Sequence, residues 1–150
     1  MIQYATYSSP FGALEIGCDE SKVVCIRKSS MTSHEPSALS DQVNEQLQEY
    51  FSGVRKTFDF PILLGGTPFQ QAVWNALCNI PYGEVRSYKQ IAESIGRPNA
   101  CRAVGQAIHR NPLWIVVPCH RVIGSNHTLT GYAGGLSMKQ TLLKIENPEA

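Results

Sequence analysis

The run Ser87-Tyr88-Lys89-Gln90-Ile91-Ala92-Glu93-Ser94-Ile95-Gly96 has the form of a short helix with both ends marked. Ser87 and Gln90 are spaced as in a capping box, where the serine side chain accepts the N3 amide and the glutamine reaches back to the cap. Ile91, Ala92 and Ile95 supply a buried stripe, and Gly96 sits where a left-handed C-cap belongs. Tyr88 thereby falls in the first turn. After the break at Arg97-Pro98, Asn99 is placed to cap a second helix with Ala100, Ala103, Val104, Ala107 and Ile108 on its apolar side, ending at Asn111-Pro112. Two short helices joined by a tight turn predict a helix-turn-helix. Capped helix pairs also occur in proteins that never touch DNA, so the pattern alone leaves that question open. One face of the second helix bears on it: among Cys101, Arg102, Gly105 and Gln106 only the arginine and the glutamine are large, so the backbone can approach another surface closely. An arginine projecting from such a face suits a narrow minor groove or an opened base stack.

Upstream, Phe69, Val73, Trp74 and Leu77 from Pro68 onward predict an amphipathic helix that ends before Ile80-Pro81-Tyr82-Gly83. Before the turn-like Gly65-Gly66 pair the texture differs. Ile2 to Tyr7, Ala13 to Cys18 and Val23 to Arg27 are β-prone runs separated by Ser8-Ser9-Pro10-Phe11-Gly12 and Asp19-Glu20-Ser21, which predicts an antiparallel meander. A polar loop from Ser29 to Ser37 leads to Val43, Leu47, Tyr50 and Phe51 at helical spacing, with Gly53 placed as the stop. The predicted class is mixed α/β (α+β): an N-terminal antiparallel-sheet lobe with a helix over residues 1–66, then a mostly helical domain with a winged-helix-like helix-turn-helix over residues 67–150.

Downstream of the helix pair, Pro118-Cys119-His120-Arg121-Val122 sets a thiol beside an imidazole, immediately after the apolar run Leu113-Trp114-Ile115-Val116-Val117. A cysteine is a useful nucleophile only as its thiolate, and His120 is the candidate base. Pro118 has no N–H to donate and ends regular strand pairing there, leaving the thiol on a turn at the edge of a buried element. Free cysteine also serves as a small apolar side chain, so the pair alone does not establish catalysis. Gly131-Tyr132-Ala133-Gly134-Gly135 then forms a glycine-rich loop before a last helix from Leu136 to Ile145, ending at Glu146. It carries neither phosphate-binding fingerprint, and a plain helix-entry turn fits it equally well.

Composition bounds the reading. The 150 residues carry a formal charge of +1, yet residues 1–66 hold five Lys/Arg against eight Asp/Glu, and residues 67–150 hold eight against four. That asymmetry is compatible with a polyanion-binding C-terminal half and equally with solvated surface charge. The start, Met1 to Tyr7, lacks the basic and apolar regions of a signal peptide, and no apolar run approaches membrane-spanning length, so a cytoplasmic protein without membrane association is expected. The five cysteines are odd in number and scattered, and reduced thiols are the default.

Taken together, Phe69-Gln70, Pro81-Tyr82-Gly83, Ser87-Tyr88, Arg102-Ala103-Val104-Gly105, Asn111-Pro112, Pro118-Cys119-His120-Arg121-Val122, Gly131-Tyr132-Ala133-Gly134-Gly135, Lys139 and Glu146 resemble the O6-alkylguanine-DNA alkyltransferase family in order and spacing. The first 66 residues resemble the family's variable N-terminal lobe only loosely, through Ser9-Pro10-Phe11-Gly12 and the strand pattern.

The resemblance implies a role for each matched residue. Cys119 is the alkyl acceptor, Glu146 orients His120, and His120 deprotonates the thiol through a bridging water. Asn111 braces the turn that holds the cysteine. Tyr88 crowds a phosphate to assist flipping and donates to guanine N3 as the base departs, while Arg102 fills the vacated stack. The carbonyls of Cys119 and Val122 accept from the guanine exocyclic amine, the Ala133 amide points towards O6, Tyr132 walls the pocket and Lys139 lies nearby. Ala100, Cys101 and Gly105 complete the DNA-facing surface. The implied partner is double-stranded DNA containing O6-alkylguanine, entered from the minor groove by a monomer, with O4-alkylthymine as a further possible substrate. The thioether product has no easy return route, so each molecule acts once and no cofactor is implied.

Two departures accompany the resemblance. Cys101 stands where relatives usually carry alanine, and Cys18, Cys25 and His34 do not match the N-terminal metal ligands of some relatives, so no metal is expected. Three other functions stay open at this point: a DNA-binding relative that recognises alkylguanine without repairing it, against which the presence of Cys119 argues; a turnover hydrolase built on Cys119, His120 and Glu146; and a non-enzymatic interaction module in which Cys119 is a structural thiol.

Overall fold

A computed structural model describes residues 1–29, 34–124 and 132–149. The expected loop from Ser29 to Ser37 and the glycine-rich loop therefore lie partly outside the described residues, Gly131 among them. The chain forms two compact units, residues 1–64 and 65–150.

The first unit is the expected antiparallel meander, with β1 (Gln3–Ser9), β2 (Gly12–Cys18) and β3 (Val23–Lys28) in that order. The tight β1–β2 connection closes at the Ser9↔Gly12 pair, where Gly12 takes φ 100°, a left-handed value that side chains resist. Every residue of β2 from Leu14 to Cys18 is buried, and Glu15 among them is paired with Arg27 at 2.7 Å. Helix α1 (Ala38–Phe51) packs on β1 and β2. Its Ser37 cap forms a box with Ser40, and Val43, Leu47 and Tyr50 form its buried stripe.

In the second unit, α2 (Pro68–Cys78) starts at a Thr67–Gln70 capping box and buries Val73, Trp74 and Leu77. The two-residue strand β4 (Arg86–Ser87) runs directly into α3 (Tyr88–Ser94), whose Ser87–Gln90 capping box is as the sequence predicts. Gly96 takes φ 74° just beyond it. Helix α4 (Cys101–His109) completes the helix-turn-helix and buries Val104, Ala107 and Ile108. One expectation fails here: Ala100, not Asn99, is the N-cap, and no side chain caps the helix. The Arg97–Ala100 turn, closed by an Ala100 amide donating to the Arg97 carbonyl at 3.0 Å, carries the chain past Asn99 before α4 begins.

The apolar run before Pro118 is also not extended. Val116 N donates to Trp114 O at 2.8 Å and Val117 N to Leu113 O at 3.0 Å, with Ile115 at φ 74° between them. Leu113, Ile115 and Val117 are all buried while Trp114 and Val116 are partly exposed, an alternation of burial that a tight turn produces here. A β-branched residue in the left-handed region is costly, and such strain persists only where surrounding packing over-determines it. A 3-10 turn over Cys119–Arg121 follows, then β5 (Val122–Ile123), which pairs in parallel with β4, and finally α5 (Leu136–Glu146). Among the described residues, no helix is long and apolar enough to cross a membrane.

Candidate active site

Cys119 opens the 3-10 turn because Pro118 precedes it and because the turn's backbone bonds close tightly: Cys119 N donates to Val117 O at 2.8 Å and Arg121 N to Pro118 O at 3.0 Å. Cys119 and His120 thus sit on a turn, not on opposite faces of a strand. The thiol is buried at 3% exposure and His120 is fully buried.

Asn111, at the end of the helix-turn-helix, reaches into this turn. Its Nδ2 donates to Val117 O at 2.8 Å and to Cys119 Sγ at 3.2 Å, and its Oδ1 accepts from Leu113 N at 2.9 Å. Asparagine suits the position because its amide both donates and accepts. The bond to sulfur is more than the bracing role the sequence suggests: it favours the thiolate.

The imidazole is tied to the far end of α5. His120 Nε2 lies 2.6 Å from Glu146 Oε2. Glu146 is also gripped by Arg121, whose Nε donates to Oε1 at 2.7 Å and whose Nη2 donates to Oε2 at 2.9 Å, and Gly83 N donates to Oε1 at 3.3 Å. Arg121 is the residue the sequence reading passes over. Its signal was a charged side chain inside an otherwise apolar, turn-bound motif, a residue type seldom buried unless paired.

Burial dominates the electrostatics. It pushes the Cys119 thiol above its ordinary range, against the Asn111 amide, the Tyr132 hydroxyl and the nearby Lys139. It pushes His120 below its ordinary range, against the Glu146 carboxylate. Lys139 is fully buried, donates from Nζ to Val122 O at 2.5 Å, and is brought down to about 8 by burial. The two carbonyls expected to read a guanine amine each already accept one bond, Val122 O from Lys139 and Cys119 O from the Val122 amide. A carbonyl has a second lone pair, so neither is disqualified.

Tyr132 is buried, its ring 6.1 Å from that of Trp114. Gly134 permits that packing, since a Cβ there would lie 2.8 Å from the Tyr132 ring and 2.5 Å from Met138 Sδ. Ala133 is exposed between them.

A second constellation lies on the helix-turn-helix. Tyr88, Cys101, Arg102, Gly105, Gln106, His109 and Arg110 line one open groove of about 650 Å³. Tyr88, Cys101, Arg102 and Gly105 are thus brought together, whereas Ala100 stays at the helix cap outside that lining. Cys119 is not part of this groove's wall. Among the described residues, no three His, Cys, Asp or Glu side chains gather as a metal site would need.

A helix-turn-helix unit holding a buried thiol, imidazole and carboxylate, preceded by a small α/β unit, defines the class of protein. Residues 68–148 match the family model of the 6-O-methylguanine DNA methyltransferase DNA binding domain, and residues 2–64 match that of the 6-O-methylguanine DNA methyltransferase ribonuclease-like domain. The chain belongs to the 6-O-methylguanine DNA methyltransferase family. It is 47% identical to the methylated-DNA–protein-cysteine methyltransferase of Methanosarcina acetivorans, over 95% of this chain and 97% of that one. It is 48% identical to the constitutive methylated-DNA–protein-cysteine methyltransferase of Bacillus subtilis, over 97% and 96%. Its fold superposes on that of Mycobacterium tuberculosis OGT crystallised in complex with DNA, with a TM-score of 0.92 and 45% identity over 99% of this chain and 94% of that one.

Proposed function

We propose that the protein repairs alkylated DNA by direct reversal, accepting the alkyl group of O6-alkylguanine on Cys119. In the step itself, Cys119 Sγ attacks the alkyl carbon, the S–C bond forms as the C–O6 bond breaks, and restored guanine departs. With Nε2 committed to Glu146, the thiol proton passes to His120 Nδ1 through a bridging water. Tyr88 supplies a proton or hydrogen bond at guanine N3, which spares the leaving base a full negative charge. A thioether is a stable end point, so each molecule is consumed by one transfer.

The division of labour follows from the two constellations. Residues 67–150 bind DNA and carry out transfer, and residues 1–66 act as a scaffold. The groove of Tyr88, Cys101, Arg102 and Gly105, with Ala100 at the cap, engages double-stranded DNA from the minor groove. Arg102 replaces the flipped nucleotide in the stack, and the Cys119 and Val122 carbonyls, the Ala133 amide and the Tyr132 ring receive the base. Lys139 holds the Val122 carbonyl in place. The protein acts as a monomer, without a cofactor, in the cytoplasm, where a reducing milieu suits its five free thiols.

The observation that carries this reading is the buried Cys119 thiol, hydrogen-bonded by Asn111 and adjoining the His120–Glu146 pair. The test is peptide mapping after incubation with duplex containing O6-methylguanine. One methyl on Cys119 per molecule, abolished in Cys119→Ser, is the expected result. Methyl on another residue, binding without any adduct, or repeated turnover of an ester or amide would overturn it.

A further inference from the structure

Arg121 is buried at 8% exposure, and each arm of its guanidinium is used. Nε and Nη2 form the two-pronged grip on Glu146, and Nη1 donates to Ile80 O at 2.7 Å. The guanidinium carbon lies 5.7 Å from the centre of the Tyr82 ring, whose hydroxyl donates to Ile145 O at 3.2 Å. One side chain therefore joins the turn holding Cys119, the segment after α2 and the last turn of α5. A lysine could supply the charge but not the planar fork.

We propose that Arg121 is a positioning residue of the transfer site, which fixes the orientation of Glu146 and offsets its charge so that His120 rests neutral, with its proton on Nε2 and Nδ1 as the acceptor for the thiol proton. The proposal rests on the transfer reading given above. A carboxylate gripped only by an imidazole would draw a second proton onto that imidazole, and an imidazolium cannot take a proton from a thiol. With the guanidinium paired to both oxygens, the carboxylate still accepts from Nε2–H but attracts that second proton less. Burial does most to keep His120 neutral; of the charged groups acting on the ring, Glu146 from α5 favours its protonation, while Arg121 from its own turn and Lys139 from α5 oppose it. Tyr82, beside Arg121 and Glu146, has a phenol raised by burial and stays neutral through the neutral range.

The experiment uses the full chain and duplex containing O6-methylguanine. Single-turnover rates at saturating duplex are measured from about pH 5 to about pH 9 for the wild type and the charge-removing Arg121→Gln. The acid limb is expected to move to higher pH in the variant, with the neutral-pH rate down at least about tenfold, because His120 holds its proton more strongly. A folded Arg121→Gln with an unmoved acid limb overturns the proposal. Nitrogen-15 NMR of wild-type His120 decides the matter even where the variant does not fold: a neutral ring protonated on Nε2 at neutral pH supports it, and an imidazolium or an Nδ1–H ring refutes it. Failure of the wild type to methylate Cys119 would remove the transfer reading, while the NMR result would still stand for or against the clamp.

Discussion

Asn111 Nδ2 donates to Cys119 Sγ at 3.2 Å while the same nitrogen donates to Val117 O at 2.8 Å. The end of the helix-turn-helix and the thiol are thus joined by one amide, which also accepts from Leu113 N. The turn with Ile115 in the left-handed region is closed partly by this side chain.

Asn111→Ala removes all three bonds in a buried setting. Unsatisfied buried groups cost about 1–3 kcal/mol each, and partial relaxation should leave a net loss of roughly 2–3 kcal/mol. Urea denaturation reads the loss. The methyl-transfer rate should fall as well, because the thiolate loses a donor; a variant as stable and as fast as the wild type would refute the brace.

Lys139 carries a stability signature in alkaline solution. Its folded-state value of about 8 lies below the ordinary 10.5, so between these pH values the unfolded chain binds more protons than the folded one. Stability contributed at this site therefore rises with pH across that window and is lost as pH falls towards 8. Relative to Lys139→Met, the protein with Lys139 intact should gain on the order of 1–3 kcal/mol between about pH 7.5 and about pH 10. Both proteins carry Cys119→Ser in this comparison, because the Cys119 thiol and Lys139 shift each other and the thiol titration would otherwise differ between them.

Burial raises the Cys119 thiol, so the resting protein should alkylate slowly with a small haloacetamide. The Cys119 rate, taken as the difference from Cys119→Ser, should keep climbing above the ordinary thiol range of about 8.5. A plateau below neutral pH would show a thiolate already formed at rest.

Gly105 separates the fold from the groove. A Cβ there would meet only the Tyr88 ring, at 3.9 Å, which is ordinary contact. Gly105→Ala should stabilise α4 by about 0.5–1 kcal/mol, since glycine is unfavourable inside a helix. Gly105→Leu should stay folded but lose at least about tenfold in duplex affinity by fluorescence anisotropy, if close backbone approach is what the position serves.

Trp74 Nε1 donates to Ala107 O at 2.8 Å, satisfying a carbonyl in the last turn of α4. Trp74→Phe keeps the ring and removes the donor, and a loss of about 1 kcal/mol is expected because Arg110 N also donates to that carbonyl. Thermal denaturation checks it.

Local chemistry made much of this protein legible from sequence. The Ser87–Gln90 box, the Gly96 stop, the meander turns and the stripes of α1 and α2 are determined by spacing, since capping and burial act within a few residues. The Cys-His pair could be picked out for the same reason, and the ordered motifs around it carried the family resemblance. Where the sequence misleads, a non-local force prevails. Leu113 to Val117 is a continuous apolar run whose local pattern does not fix its conformation, and core packing and the Asn111 side chain fold it into a turn. Asn99 is a good cap residue, but the Arg97–Ala100 turn starts the helix one residue later. Only tertiary structure could bring Glu146 to His120 and Arg121, across 26 and 25 residues, because a buried charge must find its partners wherever the fold places them. Residue types and spacing thus determined which side chains were available for chemistry, and three-dimensional packing decided which of them meet.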